Sequence, residues 1–219
     1  QVRRNFGEHR SLPLIVQSDI AVKRLGVVAK MQAAEKQAGW KIIGAEESFN
    51  LDFDGVMVRG RIDRIEKNEE TGEVRVLDYK TSSTASAPAK NHWSKFDEAK
   101  DSEWVREYAR FEIGGKPFRW IGLQLPLYAM ALEERFGAAI SLGYFNIPEV
   151  GADVGIQLLA PCDTQLLEAA WQCAEGVVAD VKAGRFWPPA PKPKYDDFQS
   201  MLFCEAGLTA MEPKVEAAR

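Results

Sequence analysis

Apolar residues recur near helical spacing between positions 18 and 39, at Ile20, Val22, Leu25, Val28, Ala29, Met31 and Ala33, with Ser18 placed to cap the start and Gly39 to stop the end. A helix is predicted there. The pattern then shifts to strand-like runs over 41–53, 56–66 and 73–81, separated by the turn signals Asp54-Gly55 and Glu70-Thr71-Gly72. In the second run Val56, Val58, Gly60 and Ile62 share one face and Met57, Arg59, Arg61 and Asp63 the other, so one face is expected to pack and the other to work. In the third, Val74 and Val76 precede Asp78 on one face while Leu77 and Tyr79 occupy the other. Apolar residues on both faces predict a central strand.

A Ser/Ala/Pro tract over 82–89 opens an insertion that extends to residue 120, with weak helical periodicity around 104–111. A second helix is predicted over 123–136, where Pro126 is tolerated because first-turn amides lack intrahelical partners. Strands over 140–147 and 154–159 and a closing helix over 164–183 follow, and the proline-rich tail, 187–219, is expected to be irregular. The order helix, three strands, helix, strand describes one α/β domain over 1–219.

Candidate chemistry lies on the predicted strands. Asp78 and Lys80 are two apart and share a face, and Asp63 lies fifteen residues before Asp78. If the second and third strands pair, Asp63 comes beside Asp78 and the two carboxylates can hold a divalent cation. Oxygen ligands suit magnesium or manganese, which can acidify a water for attack, and Lys80 could orient that water or offset the charge developing on phosphorus. Gln124 and Tyr128, four apart, share a helix face.

Three ordered motifs carry a resemblance to a known family: Gly60-Arg61-Ile62-Asp63-Arg64, then Asp78-Tyr79-Lys80-Thr81, then Gln124 with Tyr128. Together they resemble the RecB-like, AddB-type branch of the PD-(D/E)XK nucleases, and Ala183-Gly184-Arg185-Phe186-Trp187-Pro188 is similar to the segment after that family's last helix. The resemblance implies a restriction-endonuclease-like αβββαβ core with a central mixed sheet flanked by helices. It implies Asp63, Asp78 and the main-chain carbonyl of Tyr79 as metal ligands, Lys80 as essential, and Gln124 and Tyr128 as organisers of the phosphate or the lysine. An upstream histidine is a further ligand in the family, and His9 is the one in the right order, with Glu35 as the next candidate for that corner. Iron–sulfur members use four cysteines; this chain has Cys162, Cys173 and Cys204, so no cluster is expected, and the three are read as small buried side chains.

The formal net charge of −4 excludes a protein that grips nucleic acid over its whole surface. DNA contacts are therefore expected to be local, with Arg59, Arg61 and Arg64 as candidates beside the cluster Arg3, Arg4 and Arg10. Trp93, Trp104 and Trp120 could stack on bases or anchor the insertion as an apolar patch. Neither a membrane span nor a signal peptide is read in the sequence, which points to the cytoplasm, and a start at Gln1 suggests a domain excised from a longer chain. The expected function is a magnesium- or manganese-dependent DNA nuclease, an exonuclease of end processing in repair or recombination, partnered by a helicase domain or subunit. Its rivals are a catalytically silent nuclease-fold module that binds DNA or a partner, and a module for another acidic substrate such as RNA.

Overall fold

The structure, a computed structural model, describes residues 4–5, 7, 11–137, 139–149 and 153–188. The chain divides into two compact units, one formed by residues 1–92 with 122–167 and the other by 93–121 with 168–219.

The first unit opens with α1 (Leu12–Gln37), which begins earlier than its apolar period predicts because Pro13 sits in the first turn. Ser18 is no cap: its hydroxyl donates to the Leu14 carbonyl at 2.7 Å inside the helix. Three antiparallel strands follow, β1 (Trp40–Phe53), β2 (Val56–Asn68) and β3 (Val74–Lys80). After α4 (Gln124–Phe136), β7 (Ile140–Asn146) pairs parallel to β3, and β8 (Gly155–Leu158) pairs antiparallel to β7. The sheet order β1-β2-β3-β7-β8 puts β3 in the middle, as its two apolar faces predict. It is a mixed α/β architecture with a central mixed sheet flanked by helices, consistent with the restriction-endonuclease-like fold.

On one face of the sheet Val28 and Met31 of α1 pack on Leu77, Tyr79 and Phe145. On the other α4 covers β3 and β7, burying Leu125, Tyr128, Ala129 and Leu132. The α1 face also carries ions. Arg64 and Glu66, each 1% exposed, pair with one another, Arg75 Nε reaches Glu66 Oε2 at 2.6 Å, and Arg75 pairs in turn with Glu35 of α1. The Arg75 guanidinium lies 3.8 Å from the Trp40 ring centroid and that of Arg64 lies 5.1 Å from that of Phe145. One carboxylate thus serves two buried cations.

The second unit contains a sheet that the weak periodicity of the insertion did not predict. Its strands β4 (Trp93–Lys95), β5 (Arg110–Ile113) and β6 (Lys116–Trp120) run in the order β4-β6-β5, between short helical pieces α2 (Pro88–His92, in the first unit), α3 (Glu98–Asp101) and a 3-10 turn at Glu107–Ala109. The signal was Gly114-Gly115, both at positive φ, a two-residue hairpin turn between paired Ile113 and Lys116. Trp93, Phe111 and Trp120 form the anchor of this sheet, with Phe111 and Trp120 stacked at 4.3 Å, so Trp93 and Trp120 are buried among aromatics rather than presented to bases. Cys173 of α5 (Thr164–Lys182) is buried and Cys162 half-buried, while Cys204 lies outside the described residues. No helix among the described residues is long and apolar enough to cross a membrane.

Removing the shared carboxylate leaves Arg64 buried without an ion-pair partner and Arg75 with Glu35 alone, so Glu66→Ala is expected to lower the unfolding free energy by about 3–5 kcal/mol in urea denaturation.

Candidate active site

The β2–β3 ladder supplies the frame. Its register runs from Lys67↔Val74 to Arg64↔Leu77, which makes Asp63 the next residue opposite Asp78. There a side chain takes over from the backbone: Asp63 Oδ2 accepts the Tyr79 amide at 2.9 Å. That bond fixes the Asp63 carboxylate beside β3, at the fork where the two strands part.

Asp78, 4% exposed, is held from α4. Gln124 Nε2 donates to Asp78 Oδ1 at 2.7 Å, and Gln124 Oε1 accepts from Lys80 Nζ at 3.1 Å. One amide therefore bridges the acid and the base, and the donor at one end and acceptor at the other fix its orientation. Lys80 Nζ also lies 2.6 Å from Asp78 Oδ2 and 4.6 Å from the Tyr144 ring centroid. Tyr128 takes a third bond from Gln124 Nε2, at 3.0 Å, and its own hydroxyl donates to the Arg61 carbonyl at 3.0 Å. Phe49 meets Tyr128 edge-on at 5.7 Å and lies across Gly60, where an added Cβ would come within 2.5 Å of its ring. The glycine of the first motif is thus the space that the Phe49 ring occupies.

Burial raises the Asp78 carboxyl above its ordinary range; Lys80 opposes that shift, and the neighbouring charge of Asp63 adds to it. Burial likewise pushes the Tyr128 phenol up to about 12, against its bond from Gln124 and with the charges of Asp78 and Asp63. Tyr128 accordingly stays a neutral donor. The site thus gathers two adjacent carboxylates, a partly exposed ammonium and an amide that orients both.

Asp63, Asp78, Lys80, Gln124 and Tyr128 are brought together, and Tyr79 lies between with its side chain on the α1 face, its hydroxyl accepting from Arg64 Nη1 at 3.1 Å. Arg64 is a correction. One residue after Asp63, it alternates to the opposite face and is buried against Glu66 and Tyr79, out of reach of a phosphate at the site. Arg59 and Arg61 are exposed, Arg61 Nε pairing with Glu46 at 2.7 Å. Glu35 is bound to Arg75 on the α1 face, so it does not reach this site. His9 lies outside the described residues. No spacing or motif marks Phe49, His92 and Tyr144, which reach the site or its supports only through contacts distant in the chain.

Comparison with known proteins bears on this geometry. Residues 5–206 match the family described as the PD-(D/E)XK nuclease superfamily. The chain belongs to that superfamily. Among solved structures it is similar to a candidate exonuclease from Eubacterium rectale, at 14% identity and a TM-score of 0.43, covering 87% of this chain and 62% of that one. No curated protein matches.

Members of this superfamily generally use divalent metal ions such as magnesium, and the residues present fit one. Asp78 Oδ2 is buried with the Lys80 ammonium 2.6 Å away as its close partner, and a carboxylate oxygen carries a second lone pair that a cation can take. Asp63 stands close enough to raise the Asp78 carboxyl. Among the described residues no three His, Cys, Asp or Glu side chains cluster as a ready cage, and the carboxylates they offer such an ion here are Asp63 and Asp78.

Because its folded-state pKa is raised, the contribution of Asp78 to stability is fully present below its unfolded value and is lost as pH rises through the folded one. The difference in Tm between Asp78→Asn and wild type, measured in EDTA, should therefore move in favour of the variant from about pH 4 to pH 7. A difference that is flat or moves the other way would mean that Asp78 is not held at an energetic cost. Gly60→Ala should displace Phe49 and destabilise the protein by about 1–3 kcal/mol, read by thermal or urea unfolding.

Proposed function

We propose that this chain is a metal-dependent deoxyribonuclease of the RecB-like, AddB-type branch, hydrolysing phosphodiester bonds at DNA ends as an exonuclease. The single observation that carries the reading is the Gln124 amide, which ties the buried Asp78 to Lys80 beside Asp63. Membership of the nuclease superfamily supports phosphodiester hydrolysis, and the likeness of the three motifs supports the branch.

In this proposal Asp63, Asp78 and the main-chain carbonyl of Tyr79, with His9 as the upstream candidate, hold magnesium or manganese. When bound, such an ion supplies Lewis-acid polarisation of the phosphate and a more acidic water. Lys80 holds a proton at Nζ, where it orients the attacking water and offsets the negative charge that builds on the phosphoryl oxygens as the new P–O bond forms and the old one breaks. Gln124 keeps that ammonium from collapsing wholly onto Asp78, since its oxygen offers Lys80 a second acceptor. Tyr128, neutral at working pH, secures Gln124 and reaches back to the Arg61 carbonyl.

Every group named acts on the phosphodiester rather than on a base, so little sequence preference is expected. With a net charge of −4, backbone contact falls to local cations, and Arg59 and Arg61 stay as candidates without Arg64. The branch further suggests a role in repair or recombination in the cytoplasm, with a helicase domain or subunit as partner.

Digestion of end-labelled linear single-stranded and duplex DNA with magnesium, manganese or EDTA tests this. Cleavage should require metal, release products from ends and fall by about 100-fold or more in Lys80→Ala. Metal-independent cleavage, or a fully active Lys80→Ala protein, would overturn the mechanism. Binding of DNA without cleavage would instead favour the silent module.

A further inference from the structure

The start of α4 is the hinge on which Gln124 hangs, and it lacks the usual cap. Leu123 occupies the N-cap position and provides no side-chain hydrogen bond to the first-turn amides. An acceptor comes from elsewhere in the chain: His92 Nε2 accepts the Leu125 amide at 3.1 Å. The other ring nitrogen, Nδ1, lies 2.8 Å from the Pro88 carbonyl, and the whole side chain is 1% exposed. Backbone closes the same corner, since the Gly122 amide donates to the His92 carbonyl at 3.2 Å, and a Cβ on Gly122 would come within 2.8 Å of the Asn91 carbonyl.

These bonds specify the protonation state. An amide can only donate, so Nε2 must carry the lone pair; a carbonyl can only accept, so Nδ1 must carry the proton. A cationic imidazole would set a donor against the Leu125 N–H. The titratable and charged groups facing the ring are Tyr144, whose hydroxyl oxygen lies 3.4 Å from Nδ1 as a second and longer acceptor for its proton, and Lys80, whose ammonium lies against that same tyrosine. Burial pulls the His92 pKa below its ordinary range, the Pro88 carbonyl opposes the shift, and Lys80 adds to it.

We propose that His92 is a positioning residue of the active site, a neutral imidazole protonated at Nδ1 whose Nε2 caps the first turn of α4 and so fixes Gln124 between Asp78 and Lys80. Leu125 is the residue directly after Gln124, so a bond to its amide sets the backbone from which the bridging side chain departs. A shift of about 1 Å there would carry the Gln124 amide beyond hydrogen-bond reach of Asp78 Oδ1, now at 2.7 Å, and of Lys80, now at 3.1 Å. His92 touches no substrate in this proposal and acts through Gln124 alone.

The effect on cleavage rests on the nuclease reading; the placement of Gln124 does not. Two isosteric variants separate the ring nitrogens: His92→Gln keeps an acceptor near the Nε2 position, and His92→Asn keeps only a donor near Nδ1. In the apo protein, nitrogen-15 NMR should find His92 as the Nδ1–H tautomer at neutral pH, and the Gln124 side-chain amide resonances should be retained in His92→Gln and shifted in His92→Asn. In cleavage assays His92→Gln should stay within about threefold of wild type and His92→Asn should lose about tenfold or more in kcat, a loss that nearly vanishes when Gln124 is already alanine. An Nε2–H tautomer or a cation in the wild type would overturn the proposal even if a variant fails to fold. Equal losses in both variants that track their Tm, or full additivity with Gln124→Ala, would reduce His92 to a core residue. A wild type without cleavage but with the expected tautomer and Gln124 shifts would sink the nuclease reading and leave the positioning intact.

Discussion

The site depends on one substitution of side chain for backbone. Where the β2–β3 ladder ends, the Asp63 carboxylate accepts the Tyr79 amide and so joins two strands by a bond that also fixes a functional group. The Tyr79 amide, which would cost free energy if buried unpaired, is satisfied by the acid that the chemistry needs. Asp78 is placed by the same frame, because it lies opposite Asp63 on the central strand and must face the same side of the sheet. From that pair the rest follows: Lys80 is two residues on, and Gln124 is brought from α4 to span them.

The two faces of the sheet treat charge differently. On the α1 face Arg64, Glu66, Arg75 and Glu35 interlock, with guanidinium groups laid over Phe145 and Trp40, and mutual pairing offsets part of the cost of burial although Arg64 Nε makes no hydrogen bond. On the α4 face the buried Asp78 has one ammonium, Lys80, for two neighbouring carboxylates, its own and that of Asp63. The first arrangement stabilises structure. The second places like charges side by side, a pattern expected where a fold gives up stability for function.

Order around the bridging amide extends well behind the reacting groups. Phe49 lies over Gly60 and edges Tyr128, while Tyr144 lies under the Lys80 ammonium and beside His92. Tyr128 and Lys80 are therefore each backed by an aromatic ring and the helix start that carries Gln124 by an imidazole, so this set of hydrogen bonds is held by packing as well as by its own geometry.

Much of this was legible in the sequence. Period-two alternation paired Asp78 with Lys80 and set Asp63 on the working face of its strand, apolar residues on both faces made β3 central, and the four-residue step joined Gln124 to Tyr128. These are local regularities, fixed by the geometry of a strand or a helix turn. The same alternation, followed one residue further, already sends Arg64 to the far face. Other features had no local signature. The aromatic sheet of the insertion was masked by weak periodicity, although its Gly114-Gly115 turn was written in the chain. The union of His92 with Leu125, of Glu35 with Arg75 and of Phe49 with Tyr128 joins residues more than thirty positions apart, and no spacing rule reaches that far. The sequence by itself determined which side chains share a face, because backbone geometry repeats; the tertiary structure alone decided which faces meet, because that depends on how a particular helix packs on a particular sheet.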